Sequence, residues 1–442
     1  MKKVLIITYY WPPCGGSGVQ RWLKFVKYLR NFGWEPIIYT PENPEMSVID
    51  NSLLKDLPEN LTVIKTKIWE PYNFYKAFIG KKKSHKINTA LLSESKKPKL
   101  TEKISVWIRG NFFIPDARRF WIKPSVKFLK EYLKSNKVDA IVSNGPPHSM
   151  HMIALGLKKS LNIPWLADFR DPWTNIDFYH ELMLSGWADK RHHKMENKVL
   201  KNADAVTVIS RSMAEDMKRL HNRKYEVITN GYDEETNIED VVLDKKFSIA
   251  HIGSLVKSRN PEVLWKVLNF LLNDRSQNSF DAERFSKDLE IKLVGKVDFS
   301  VKESIKKYKL ENYINYIDYL PHDEVIRVQQ QSQVLLLLLN NTPNAKMILT
   351  GKFFEYLAAK RPVLCIGPTD GDAAEIINET KCGVISDFDD FEHLRDSVIN
   401  FYKSFCENSL DVNSAGIEKY SRKNLTFELS KILNKIVIGN YY

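Results

Sequence analysis

Residues able to do chemistry gather in short stretches, each at the junction of an apolar run and a helical pattern. Pro12-Pro13-Cys14-Gly15-Gly16-Ser17-Gly18 follows one apolar run and opens a helix. Glycines there let backbone approach a ligand, and the free amides of a helix start favour an anion such as a diphosphate. A dinucleotide fingerprint is excluded, because Arg21 stands at the third glycine position of Gly16-x-Gly18-x-x-Gly and Thr40, not an acid, closes the next strand. A P-loop is excluded too, for want of Gly-Lys-Ser/Thr. A tight turn without ligand is the other reading of this loop.

Asn144-Gly145-Pro146-Pro147-His148-Ser149 follows a second apolar run, and His148 there is either a sugar contact or proton shuttle, or a polar surface group. Asp168-Phe169-Arg170-Asp171-Pro172-Trp173 packs three charges into four positions beside an aromatic. It reads as a functional corner at a strand end, or as an ion-pair corner in which Arg170 holds Asp168 or Asp171 and Trp173 anchors the core. Gly253-Ser254-Leu255-Val256-Lys257-Ser258-Arg259-Asn260 sets two cations near a helix start, suited to neutralising a leaving phosphate. In Gly351-Lys352-Phe353-Phe354-Glu355, a helix start offers amides and an ammonium to phosphates, and Glu355 a carboxylate to ribose hydroxyls.

The elements that must position these residues alternate. Val4 to Thr8, Pro36 to Tyr39, Ala140 to Ser143, Trp165 to Ala167, Ala205 to Ile209 and Val227 to Thr229 read as strands with helical patterns between them. Such continuous apolar strands predict a parallel sheet covered on both faces. Asn230-Gly231 and an acidic stretch then mark a linker, and a second alternation follows at Phe247 to Ile252, Ile291 to Val294, Val334 to Leu339, Val363 to Ile366 and Gly383 to Ser386. The expected organisation is an N-terminal domain over residues 1–232, a linker over 233–245, a second domain over 246–415 and an amphipathic helix within 416–442. Two doubly wound α/β domains are expected to face each other across a cleft.

The 442 residues are 43% hydrophobic and 27% charged, enough for two cores of roughly 200 residues each. The longest apolar run falls well short of the ~20 residues of a membrane-spanning helix, and no cleavable leader is read at the start. Four scattered cysteines exclude both a disulfide framework and a Cys-x-x-Cys zinc site, and read as small core residues. Of the net charge of +12, +10 lies between Lys76 and Lys123. This excludes a general nucleic-acid binder and leaves one basic segment, an insertion over about 76–123, to explain.

Together these stretches resemble the retaining glycosyltransferases of family 4, over nearly the whole chain. The resemblance rests on the Gly15-Gly16 loop, Asp168 to Trp173, Asn230-Gly231, the Gly253 loop, and Lys352-Phe353-Phe354-Glu355-Tyr356-Leu357 with Arg361-Pro362-Val363. It implies the GT-B fold, two Rossmann-like domains, with the C-terminal helix able to cross back to the first. It also implies sugar transfer from a UDP- or GDP-sugar to an acceptor hydroxyl with retention, without metal or other cofactor.

By position, the resemblance assigns His148, Asp171 and Arg259 to the catalytic centre. Gly15, Gly16, Ser17, Ser254, Lys257, Arg259, Lys352 and Glu355 fall to the donor, and Asp168, Arg170 and Asp171 to the acceptor side. Two positions depart from the family. Met347 stands for the first glutamate of E-x7-E, and Ser254 for an arginine, leaving Lys257 or Lys352 as the second cation beside Arg259.

A sugar-nucleotide epimerase of the same fold and a non-catalytic carbohydrate- or membrane-binding protein are the competing readings. The basic segment, with Phe78, Trp107, Ile108, Phe112, Phe113, Phe120 and Trp121 among its cations, predicts peripheral docking on an anionic inner membrane face. The implied acceptor is polyprenyl-linked or a glycan, as in assembly of a cell-surface polysaccharide or glycolipid, and the expected location is cytoplasmic. The other reading of the segment is a solvated basic loop.

Overall fold

The computed structural model describes residues 1–46, 49–70, 100–176, 179–233, 241–273, 280–412 and 414–439. Among them the chain forms two compact units, divided between Asn230 and Gly231, with the last helix returning to the first unit.

The first unit runs β1 (Lys2–Ile7), α1 (Ser17–Leu29), β2 (Trp34–Pro41), β3 (Thr62–Thr66), α2 (Leu100–Phe112), α3 (Arg119–Ser135), β4 (Ala140–Gly145), α4 (Ser149–Leu161), β5 (Trp165–Phe169), α5 (Gly186–Asn202), β6 (Ala205–Val208), α6 (Arg211–Leu220) and β7 (Glu226–Val227). All neighbouring strands are parallel, in the order β3-β2-β1-β4-β5-β6-β7. The chain therefore winds outward from β1 in one direction and, from β4, in the other. Between β1 and β4 the winding reverses, and the crevice beyond their carboxyl ends is where such sheets take ligands.

Helix α1 forms because Val19, Trp22, Phe25, Val26 and Leu29 recur on one face, and all are fully buried. Each such side chain contributes about 1.5–3 kcal/mol by leaving water. Gly33, at φ 81°, ends the segment in the left-handed region that glycine alone enters without strain.

The second unit runs β8 (Phe247–Ile252), α7 (Glu262–Asn273), α8 (Ala282–Asp288), β9 (Leu289–Val294), α9 (Phe299–Lys307), β10 (Ile314–Ile317), α10 (His322–Gln331), β11 (Val334–Leu338), α11 (Gly351–Ala358), β12 (Val363–Ile366), α12 (Asp372–Thr380), β13 (Gly383–Ser386) and α13 (Phe391–Cys406). Its parallel sheet is ordered β10-β9-β8-β11-β12-β13, with the same reversal between β8 and β11. The leucine run of β11 shows why the sheet is buried twice over. Val334, Leu336 and Leu338 enter one core, whereas Leu335, Leu337 and Leu339 enter the core on the other face.

Helix α14 (Arg422–Ile438) packs on the first unit, its Leu425, Leu429, Ile432, Leu433 and Ile436 joining the core formed by α1 and the central strands. Lys2 Nζ donates to Asn434 Oδ1 at 2.8 Å, fixing the helix beside the start of β1.

The described part of the expected insertion is largely helical. Residues 76–99 lie outside the described residues, as do 234–240 of the expected linker, but α2 and the start of α3 occupy the remainder of the basic segment. Trp121 is corrected from a surface anchor to a core residue: it is 1% exposed and stacks on Tyr39 at 4.9 Å. No helix among the described residues is long and apolar enough to cross a membrane.

Candidate functional site

Each unit carries a cluster of polar groups at its reversal point. In the first unit the loop after β1 leads into α1 through Gly16, whose φ of 97° suits glycine and leaves open space where a Cβ would be. Gly15 is buried beside it. Ser17 opens the helix, but its side chain lies outside the described residues. Across the reversal, Asn144 Nδ2 on β4 donates to Thr8 Oγ1 at 3.4 Å, while Asn144 Oδ1 has no hydrogen-bond partner among the described residues.

His148 ends the loop after β4 and stands directly before α4. Its ring is 8% exposed and lies flat on Trp173, centroids 4.4 Å apart and planes 2° from parallel. Nδ1 of His148 is buried with no partner among the described residues. Burial, followed by the nearby His151, His192 and Arg170, holds its pKa well below the ordinary imidazole value, so the ring is neutral. His151, one turn on, shares a 2.8 Å hydrogen bond with Ser143 Oγ, and burial presses its pKa down to about 3.

The segment after β5 divides between framework and site. Asp168 is fully buried, and its carboxylate receives four hydrogen bonds: from Arg21 Nε at 2.9 Å, Arg21 Nη2 at 2.8 Å, Trp22 Nε1 at 2.7 Å and Thr207 Oγ1 at 2.8 Å. Burial alone would raise its pKa, but Arg21 and the other donors outweigh that and hold it below the usual carboxylate value. Asp168 is thus corrected from an acceptor-side residue to the partner of Arg21, which also donates to the carbonyls of Ile228 and Thr229. The arginine that breaks the dinucleotide fingerprint cross-links α1 to the far edge of the sheet.

Arg170 instead pairs with Asp171, Nε to Oδ2 at 3.2 Å, and Asp171 is 41% exposed. The Arg170 amide donates to the Gly145 carbonyl at 2.9 Å, and its guanidinium covers the first turn of α1. A Cβ on Gly18 would meet Arg170 Nη1 at 2.9 Å. Arg170 therefore lies against Gly18 and close enough to His148 to lower its pKa, and Asp171 stands beside them through its pairing with Arg170.

In the second unit Arg259 and Lys352 converge similarly. The turn after β8 passes through Gly253, at φ 113°, and the Lys352 ammonium rests where its side chain would be: a Cβ there would be 2.5 Å from Lys352 Nζ. Arg259 Nε donates to Asn340 Oδ1 at 2.5 Å, bridging the loops that follow β8 and β11. Helix α11 is set against the end of β8 by Tyr356, whose hydroxyl accepts from the Ile252 amide at 3.1 Å. Burial, then the charge of Arg259, depresses the Lys352 pKa to about 7 against the opposing pull of Glu355. Glu355 itself accepts from Gln329 Nε2 at 3.2 Å. Thr350 Oγ1, just ahead of α11, is buried without a hydrogen-bond partner among the described residues.

Ser254 and Lys257 are exposed on the same loop. Between the two open choices for a second cation, the geometry favours Lys352, which alone is laid into the turn after β8. Among the described residues no group of His, Cys, Asp and Glu is arranged to hold a metal ion. Sequence reasoning missed Asn340 and Thr350, which sit in loops with no motif of their own.

Residues 17–236 match the family described as Glycosyltransferase Family 4. No curated protein matches the chain by sequence. Among solved structures it is similar to sucrose-phosphate synthase from Thermosynechococcus elongatus, at 12% identity and TM-score 0.60, covering 99% of this chain and 100% of that one. It is also similar to HepE from Anabaena, determined in complex with UDP-glucose, at 12% identity and TM-score 0.60 over 98% and 100% of the two chains. A putative UDP-N-acetylglucosamine 2-epimerase from Listeria monocytogenes follows at 9% identity and TM-score 0.55, over 98% and 96%. The two parallel-sheet Rossmann-like units are those of the GT-B fold. The chain is a glycosyltransferase of the family 4 type.

Proposed function

We propose that the protein is a retaining, metal-independent hexosyltransferase that moves a sugar from a UDP- or GDP-sugar to an acceptor hydroxyl. The observation that carries this reading is the pair Arg259 and Lys352 at the reversal point of the second sheet, two cations where a diphosphate leaving group would develop charge. They would be joined by the amides that open α11. Glu355, one turn into α11, would bind the ribose hydroxyls, with Lys257 and Ser254 at the rim of the donor site.

No side chain is required as nucleophile in this scheme. The leaving phosphate takes the acceptor proton as the new bond forms on the face it departs from. Neutral His148 would accept or donate a hydrogen bond at the transferred sugar through its unpaired Nδ1, with Asp171 and Arg170 on the acceptor side. Met347 removes the family's first motif carboxylate, so the donor sugar would be held by other groups.

The first unit also carries an exposed aromatic patch. Trp69, 58% exposed, packs edge-on against Phe120, and Phe112 packs likewise against Trp107. Arg119 lies over Phe120, and Arg191 over the exposed Trp187. Aromatic bodies ringed by arginines suit the interface of an anionic bilayer, which supports peripheral attachment at the inner membrane face, near a polyprenyl-linked or other glycan acceptor.

The test is incubation with nucleotide sugars with and without glycan acceptors, followed by NMR of the products. The expected result is an α-linked product from an α-linked donor that appears only with acceptor. Epimerised nucleotide sugar formed without acceptor would replace this reading by the epimerase one.

A further inference from the structure

The solvent face of α3 carries four lysines in a row. Lys123, Lys127, Lys130 and Lys134 follow one another at steps of four, three and four residues, which places them within one narrow arc of the helix. They span roughly 16 Å of axis, a cation about every 5–6 Å. All four are exposed. Lys134 pairs with Glu131, whereas Lys123, Lys127 and Lys130 pair with no carboxylate among the described residues.

This arrangement opposes helix stability. Like charges three and four residues apart repel and weaken the helix, and the first turn of α3 contains no acid to offset its dipole. Ordinary solvated helix faces interleave the two signs.

The row borders a groove of about 540 Å³ between α3 and α4, lined also by Val126, Met152, Gly156 and the carboxylate of Glu131, which Lys134 neutralises. The helices approach closely there, since a Cβ on Gly156 would meet Val126 Cγ2 at 2.7 Å. An extended chain can lie along such an open groove. One end of the groove is near the site. Asp116, three residues ahead of α3, accepts from the Ser149 amide and hydroxyl, both at 2.8 Å, and so fixes the start of α3 beside His148.

We infer that this lysine-lined groove binds the acceptor as a linear anionic glycan, a chain bearing a carboxylate, sulfate or phosphodiester on successive units, with its growing end toward His148. The inference rests on the transferase reading and names its substrate class. Charge complementarity sets the occupant, and the even spacing of the cations favours a repeating chain over a compact anion.

The test uses heparin-derived oligosaccharides of increasing length as probe, on the full chain and on a K123Q/K127Q/K130Q variant whose melting temperature is checked first. Affinity should rise with length until the probe covers the row and then level off. The variant should bind at least tenfold more weakly, and the dependence of log affinity on log salt should flatten by about two to three. Unchanged binding by the variant would overturn the proposal, as would lysine-dependent binding of phosphatidylglycerol vesicles without binding of the oligosaccharides. Thermal stabilisation by UDP and GDP is measured on the same samples. Stabilisation without oligosaccharide binding removes the groove assignment alone. Oligosaccharide binding without any nucleotide effect removes the transferase reading, and the acceptor role with it.

Discussion

The Lys352 ammonium occupies the space that a side chain at Gly253 would fill, 2.5 Å from where its Cβ would be. A helix residue and a turn residue 99 positions apart in the sequence thus define one feature, a cation seated in the bend that follows the central strand. Gly253→Ala should therefore displace Lys352 and strain a backbone at φ 113°, costing roughly 1–3 kcal/mol of stability. Nucleotide-sugar affinity, measured by calorimetry, should fall at least tenfold, and a variant that binds as wild type would show that the ammonium plays no part.

The pH dependence of donor binding follows from the same contact. With its pKa near 7, Lys352 is about half neutral in the free protein at that pH, and a bound diphosphate favours the charged form. Binding therefore takes up a proton, and affinity should decline as pH rises from about 6.5 to 8.5, by at most tenfold per pH unit. In Lys352→Met the affinity should be lower and this decline absent. Calorimetry in buffers of different ionisation enthalpy reads the proton directly.

Asp168→Ala should destabilise the protein strongly, because it strands Arg21 in the core. Breaking a buried pair in this way costs about 3–5 kcal/mol, and Trp22 Nε1 and Thr207 Oγ1 lose their acceptor as well. Urea unfolding followed by tryptophan fluorescence measures the loss. A stable but inactive variant would restore Asp168 to the acceptor side.

His148→Ala should leave donor affinity within about twofold and lower kcat by roughly a hundredfold or more. Because the imidazole is held neutral well below its ordinary pKa, the rate at saturating donor should show no inflection near pH 6.5. Steady-state kinetics across pH 5.5–7.5 check both points.

Both sheets were legible because strands buried on two faces are written as continuous apolar runs, as in Val334 to Leu339. The edge strands β3 and β10 were not: Thr62–Thr66 and Ile314–Ile317 are short, partly exposed and contain Lys65 and Asn315, so no apolar run marks them. Which loop residues stand at strand ends was legible, since strand ends follow from strand positions. Their partners were not readable. The charges in Asp168-Phe169-Arg170-Asp171 suggest local pairing, yet Asp168, still within β5, turns to Arg21, 147 residues away, while Arg170, beyond the strand's end, pairs with Asp171. The burial of Trp121 is likewise set by the face of α3 that meets Tyr39, a tertiary fact.

The central claim is that the cations after β8 and at the start of α11 hold the diphosphate of a sugar nucleotide. It is tested most directly by melting the protein with UDP, GDP and their sugars, beside Arg259→Ala. One of these ligands at 100 times its dissociation constant should stabilise the wild type by about 2.7 kcal/mol, and the variant by far less. An unchanged melting temperature with every nucleotide, or equal stabilisation of the variant, would contradict it.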